Sequence, residues 1–564
     1  MPSSSPDFPS CLPARPSLEQ LQKQAKELLK QHRVGEKSAL DRFLAIDNRP
    51  AGPPSSLADA QFVLAREYGF ESWAKLKQQV GIMRSTRPLF LSSTVPFYTI
   101  DWSSDEVTVQ GPQSEKSWDA LLAVMAEHRI SKLNAGGMTD SALSRLADLG
   151  HVTHLRTEGS GVTDQGLKHL ARMPQLQELE LGGQNSSITD QGLDALCHLP
   201  NLHRFQACWT PGISDLGIAA LSHCDQLEDV NLLGTHTGDG AIRALMGKRN
   251  LRYFRSGRQV TDAGLALLQH FPVFKTWHGG DVSYGLMRAD AKPNHLLIDG
   301  PFTDAGLAEL RSLEGLFALT FFWHCPSFTS RGLRPLQQLA NLGFLGCQDN
   351  HSDDEAMRHI AGFPRLRMLM GQGSVATDAG FEALSRSQTI EYIWGRTCPN
   401  LTGRGFSALA SMPALRGIAV SCKNVDDNSL ARLPEFPALR EFMPMDVPDA
   451  GFRHIGRCQN LEALWCMYCR DTGDAATDHI AGLSQLKTYY AGKTKITDRS
   501  LEILGRMVSL EQVEFWQCAS LTDAGLTYLA RLPNLREVRL DGLPNVTRKA
   551  AALFPSQVQI KYSE

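Results

Sequence analysis

Thr163-Asp164-Gln165-Gly166-Leu167 returns as Thr189-Asp190-Gln191-Gly192-Leu193, Thr261-Asp262-Ala263-Gly264-Leu265, Thr303-Asp304-Ala305-Gly306-Leu307 and Thr522-Asp523-Ala524-Gly525-Leu526. Partial copies stand at Ser214-Asp215-Leu216-Gly217-Ile218, Thr377-Asp378-Ala379-Gly380-Phe381 and Thr497-Asp498-Arg499-Ser500-Leu501. The second position of the phrase falls at 140, 164, 190, 215, 239 and 262, then at 304, 330, 354, 378, 403, 427, 449, 474, 498, 523 and 548. Apart from one gap, the steps run from 22 to 26 residues. A phrase that returns at this period along most of a chain marks a stack of small units, none able to bury its apolar face alone.

Each unit has two halves. After the phrase, apolar residues such as Leu167, Leu170 and Met173 fall at helical spacing. Thr or Asp at the start can cap the free N–H groups of a short helix. A strand of the form Leu-x-x-Leu-x-Leu follows, as in Leu176-Gln177-Glu178-Leu179-Glu180-Leu181, with the alternation of a half-buried strand. The gap from Asp262 to Asp304 spans 42 residues. It is read as a damaged repeat, with Val282-Ser283-Tyr284-Gly285-Leu286 as its phrase and His295-Leu296-Leu297-Ile298-Asp299 as its strand.

The units resemble leucine-rich repeats reading Ile/Val-Thr-Asp-x-Gly-Leu, the cysteine-containing subclass found in F-box substrate receptors and many bacterial proteins. The resemblance implies an α/β solenoid: a leucine-rich-repeat horseshoe with a parallel concave sheet and convex helices, about seventeen repeats over residues 130–548. No F-box precedes the repeats, so no ubiquitin-ligase role is carried over. Residues 17–83 read as a small all-α domain, with helices at about 17–33, 38–46 and 57–69 and a fourth from 71. Leu57–Lys77 resembles the helical prelude of bacterial ankyrin-repeat proteins, which implies a bacterial source and an association module. Residues 1–16, rich in Pro and Ser, read as disordered; 84–129 and 549–564 read as caps over the exposed ends of the stack.

Composition narrows the function classes. The chain has 564 residues, 42% hydrophobic and 21% charged, with a net charge of −3. No global basic field draws nucleic acid or an anionic membrane, and no run of apolar residues is long enough to span a bilayer. The N-terminus lacks the pattern of an export signal, so a cytoplasmic location with reduced thiols is expected for the twelve cysteines.

Catalytic signatures are missing from the sequence: no phosphate-binding loop, no Gly-x-Ser-x-Gly elbow, no His-Glu-x-x-His. The repeated Asp reads as a helix cap or first-turn residue that suits the helix dipole. Cys466-Met467-Tyr468-Cys469 has metal-ligand spacing, but no second pair follows. Cys466 and Cys347 fall at the inward Leu position of their strands, with Cys208, Cys422 and Cys518 near that column, so structural thiols are expected. No catalytic residue, metal or cofactor is therefore expected.

The alternate strand residues point away from the core, onto the concave face. Early in the stack these are polar: Glu178 and Glu180, Arg204 and Gln206, Asp229 and Asn231, Tyr253 and Arg255. From the middle they turn aromatic and sulfur-bearing: Thr320, Phe322 and Trp323, Met368 and Met370, Tyr392, Trp394 and Arg396. Met443 and Met445, Trp465 and Met467, Thr488 and Tyr490, Glu514 and Trp516 continue the stripe. Such a stripe fits a binding surface for a protein or peptide partner. It also fits self-packing, with residues 278–300 or the N-terminal helices filling the groove. A receptor for a small aromatic or sugar ligand is the second reading. An enzyme using the groove is the third, and its one hint is Glu514 beside Tyr490.

Overall fold

The structure, a computed structural model, describes residues 18–46, 56–67, 72–73, 76–77 and 97–563 except 112, 184, 186, 278, 280–281, 288–292 and 468. The N-terminal tail, the loop at 48–55 and the start of the cap at 84–96 therefore lie outside the described residues. The chain divides into two compact units, Met1–Glu180 and Leu181–Glu564.

In the first unit, helices Leu18–Arg33, Lys37–Ile46 and Leu57–Glu67 bury Leu21, Ala25, Leu64, Ala65 and Leu76 in one cluster and Leu28, Ala39, Phe43, Ala60 and Val63 in another. The buried Glu67 accepts two hydrogen bonds from Arg42, both at 2.7 Å. That fork–fork pairing offsets the cost of taking the carboxylate out of water. Further along, Tyr98–Asp101 pairs antiparallel with Glu106–Val109, and parallel strands Lys132–Asn134, His154–Arg156 and Glu178–Glu180 follow. Helix Glu115–His128, capped by Ser114, packs a fully buried Trp118.

The second unit is a stack of parallel strands, each but the last, Gln559–Ser563, followed by a short α or 3-10 helix. One core column runs through Phe254, Leu296, Leu319, Leu345, Leu369, Ile393, Ile418, Phe442, Leu464, Tyr489, Val513 and Val538. None of these is more than 2% exposed, so every repeat contributes its central apolar side chain to one continuous core.

The phrase has a structural meaning that crosses repeats. Thr303 Oγ1 accepts the Ala305 N–H at 3.2 Å and so caps its own helix. Asp262, one repeat earlier, accepts the Thr303 N–H at 2.6 Å and the Thr303 hydroxyl at 2.7 Å. The same double bond joins Thr261 to Asp239, Thr329 to Asp304, Thr377 to Asp354, Thr497 to Asp474, Thr522 to Asp498 and Thr547 to Asp523. The aspartate does lie in the first helical turn, as its sequence position suggests, but its carboxylate also holds the next unit. The phrase glycine makes room for it: a Cβ on Gly306 would lie 2.3 Å from Asp262 Oδ1, and one on Gly525 2.2 Å from Asp498 Oδ1.

The 42-residue gap carries its strand where expected, at His295–Ile298, but it does not hold an additional, damaged repeat. Strand His295–Ile298 pairs directly with Tyr253–Arg255, and Asp262 reaches Thr303 across the whole interval. Ser283 occupies the place of the phrase aspartate, so Val282–Leu286 has no carboxylate with which to hold a following unit. The interval is a single repeat with an excursion that leaves the helix Pro272–Lys275 at Trp277.

Candidate binding face

The excursion forms a strap over the inner sheet face. Trp277 stacks on Phe317 with ring centroids 4.8 Å apart, and the Tyr284 ring lies parallel to Phe317 at 6.3 Å. Beneath and around the strap lie Ala318, Phe344, Met368, Tyr392, Ala419, Met443 and Met445, all buried. Polar contacts fix its backbone. Arg367 donates to the Val282 carbonyl at 2.8 Å, carries its guanidinium 5.1 Å from the Tyr284 ring centroid, and is held by a two-pronged pair with Glu391. Further on, the Leu286 N–H donates to Glu441 at 2.9 Å. The sheet accommodates this approach with glycine: a Cβ on Gly343 would meet the Tyr284 hydroxyl at 2.8 Å, and one on Gly417 the Leu286 Cγ at 3.0 Å.

This covering corrects the picture of an open stripe from Thr320 to Trp516. Met368, Tyr392, Met443 and Met445 are side chains of the strap's bed, and Met370, Trp394, Trp465 and Met467 are packed against its margins, partly buried. Arg396 follows Trp394 across a register shift and takes a left-handed backbone, with φ of 42°. Phe322 and Trp323 stand apart from this cluster. They stack on each other at 4.8 Å, and Phe322 lies 6.1 Å from Trp209. Trp323 is 64% exposed. The polar early strands are closed by charge: buried Asp229 contacts Arg204 at 3.2 Å and Arg255 at 3.1 Å, and burial still pushes its carboxyl up.

Past the end of the strap the face is open. Tyr490 is buried, its ring 6.3 Å from Trp465, and it neighbours Glu514 in register. Glu514 and Trp516 are partly exposed, and Lys493 places its ammonium 4.6 Å from the Trp516 ring centroid. Burial pushes the Glu514 carboxyl up, against the pull of Arg539 at 3.6 Å. A hollow of about 340 Å³ lies here, lined by Met287 of the strap together with Trp465, Glu514 and Arg539. The sequence pattern placed Glu514 and Trp516 on this face. It also placed Glu537 and Arg539 on the neighbouring strand, but missed Met287 and Glu441, because the strap's path has no periodic signature.

The cysteines at the inward strand positions are core residues: Cys347, Cys466 and Cys518 are fully buried and Cys422 nearly so, whereas Cys208 is only half-buried. The Cys469 thiol donates to the Pro444 carbonyl at 2.7 Å, and that of Cys518 to the Ala491 carbonyl at 3.3 Å. Tyr468 lies outside the described residues, and among the described residues no group of three or more His, Cys, Asp or Glu side chains is arranged to hold a metal. Burial pushes the thiols of Cys325, Cys398 and Cys458 up to about 12. Since the thiolate is the reactive form, iodoacetamide at pH 8 should label exposed Cys197 within minutes. Cys347, Cys422 and Cys466 should stay unmodified until denaturant is added, as read by peptide mass mapping. Early labelling of these three would show that the inner thiols are accessible.

No family model matches the chain. Among solved structures, it is similar to the yeast Rad7 and Elc1 complex at 14% identity, over 79% of this chain and 88% of that one, with a TM-score of 0.35. It is similar to a Leptospira interrogans leucine-rich-repeat protein at 14% identity, over 80% and 100%, with a TM-score of 0.33. A third is the complex of TLR13 with single-stranded RNA, at 12% identity over 78% and 70%, with a TM-score of 0.42. Among the described residues, no helix is long and apolar enough to cross a membrane. The recurring phrase, the strand-and-helix unit and the parallel register together make this chain an α/β solenoid with the leucine-rich-repeat fold.

Proposed function

We propose that the protein is a binding scaffold that takes an extended segment of a protein or peptide partner on the inner sheet face. The contact surface is the stretch from Ala463–Met467 to Glu537–Asp541, with Trp465, Met467, Glu514 and Trp516 as contact residues. The strap is the observation that carries this reading. It is a stretch of chain, neither helix nor strand, already seated on this face, held by aromatic stacking, by a carboxylate on its N–H and by a guanidinium on its carbonyl. A partner can use the same kinds of contact on the strands the strap leaves uncovered. The buried thiols near the strand ends support placing the repeats in the cysteine-containing class, and they suit a reducing compartment.

Selection of a random-peptide display library on the full chain tests the proposal. Trp516→Ala should weaken the enriched peptides about 30-fold, the effect of losing a hot-spot tryptophan worth about 2 kcal/mol. The melting temperature should stay within about 2 °C, as for surface substitutions worth a few tenths of a kcal/mol. Enriched peptides that ignore Trp516→Ala would refute the assignment of this face.

A further inference from the structure

The open hollow has a chemistry of its own, and its occupant follows from the charges around it. Three carboxylates, Glu441, Glu514 and Glu537, line it with a single guanidinium, Arg539. That guanidinium is already committed: its Nε donates to Glu537 at 2.7 Å, and Lys561 adds an ammonium to the same carboxylate at 2.8 Å. Among the described residues, Glu514 has only the far edge of Arg539 as an ion-pair partner, at 3.6 Å, although it is half-buried. Trp465 and Met287 add apolar side chains to its lining. A volume of about 340 Å³ is at the low end of ligand cavities, room for one long side chain rather than a packed element.

Carboxylates beside an aromatic face favour a cation with an apolar stem. The same carboxylates repel phosphate, which sets nucleic acid aside as the occupant of this hollow. The course of the strap supplies the geometry. Its backbone runs across the sheet to Glu441 and reaches the hollow at Met287. An extended chain laid on the next strands therefore passes over the opening.

We propose that this hollow is a receptor for one lysine or arginine side chain of an extended peptide partner, with Glu514 as its charge partner and Trp465 as its apolar wall. The inference rests on the binding reading above and names the side chain that reading left open.

The test uses peptides enriched by the full chain and titrated calorimetrically. One position should be dominated by Lys or Arg. Changing that residue to Gln should cost about tenfold in affinity, as should Glu514→Gln, and the affinity should fall as NaCl rises. Arg539→Met removes the competing guanidinium and should tighten basic peptides several-fold, a gain that misfolding could not produce. Peptides weakened by Trp516→Ala but indifferent to Glu514→Gln would overturn the cation receptor and leave the binding face standing. Peptides indifferent to both would overturn the face as well.

Discussion

Gly306→Ala should destabilise the protein by about 2–3 kcal/mol, far more than the same change at a glycine with open space around it. An added Cβ would lie 2.3 Å from Asp262 Oδ1, inside van der Waals contact, so the carboxylate must move. Moving it disturbs the bonds to the Thr303 N–H and hydroxyl, at 2.6 and 2.7 Å. Hydrogen bonds to a charged group contribute about 1.5–3 kcal/mol each. Against this, alanine restricts the unfolded chain and returns about 0.4–1 kcal/mol, so the steric loss wins. Gly482 is the control: nothing lies within 4 Å of its Cβ position, and its alanine variant should be neutral or slightly stabilised. Because a repeat stack is held by nearest-neighbour interfaces, urea unfolding of Gly306→Ala should also broaden or split into two transitions. Equal midpoints for the two variants would show that the aspartate shifts without cost and is no staple.

Tyr284→Ala should release the strap. The ring is nearly buried between Phe317 and the Arg367 guanidinium, and truncating a buried aromatic costs about 3–5 kcal/mol. The loss falls on a segment that can open without unfolding the stack, so it should appear as local opening rather than global unfolding. At 1.4 kcal/mol per decade, even the low end implies a hundredfold or greater rise in the open population. Limited proteolysis should then cut the strap at least tens of times faster, while the urea midpoint falls less than in Gly306→Ala. Tyr284→Phe should have the opposite sign. Among the described residues the buried Tyr284 hydroxyl has no hydrogen-bond partner, and removing an unsatisfied buried polar group is worth about 1–3 kcal/mol. Unchanged cleavage in Tyr284→Ala would mean that Trp277 and Leu286 hold the strap unaided.

Much of the fold was legible in local pattern. Thr-Asp-x-Gly-Leu marks helix starts because Thr caps its own first turn, and alternation marks strands because one face must be buried; both depend on residues a few positions apart. The bond from Asp262 to Thr303 was hidden because a carboxylate's partner in the next unit leaves no mark on spacing within its own. The gap was misread for a related reason: Val282, Gly285 and Leu286 imitate the phrase, and only the pairing of Tyr253 with His295 shows that no extra strand intervenes.

The candidate site divides in the same way. By itself, the sequence determined the solenoid, its register and the change on one face from Arg204, Asp229 and Arg255 to Met368, Tyr392 and Trp516. All of these follow from periodicity, which acts along the chain. It could not settle which part of that face is surface, because burial is decided by what comes to lie over a residue. Tertiary structure settled it by laying Trp277, Tyr284 and Leu286 over Phe344, Met368, Tyr392 and Met443, which leaves the hollow beside Trp465 and Glu514 uncovered. The strap takes that course through aromatic stacking and two hydrogen bonds to residues 85 and 155 positions away, contacts that no local pattern encodes.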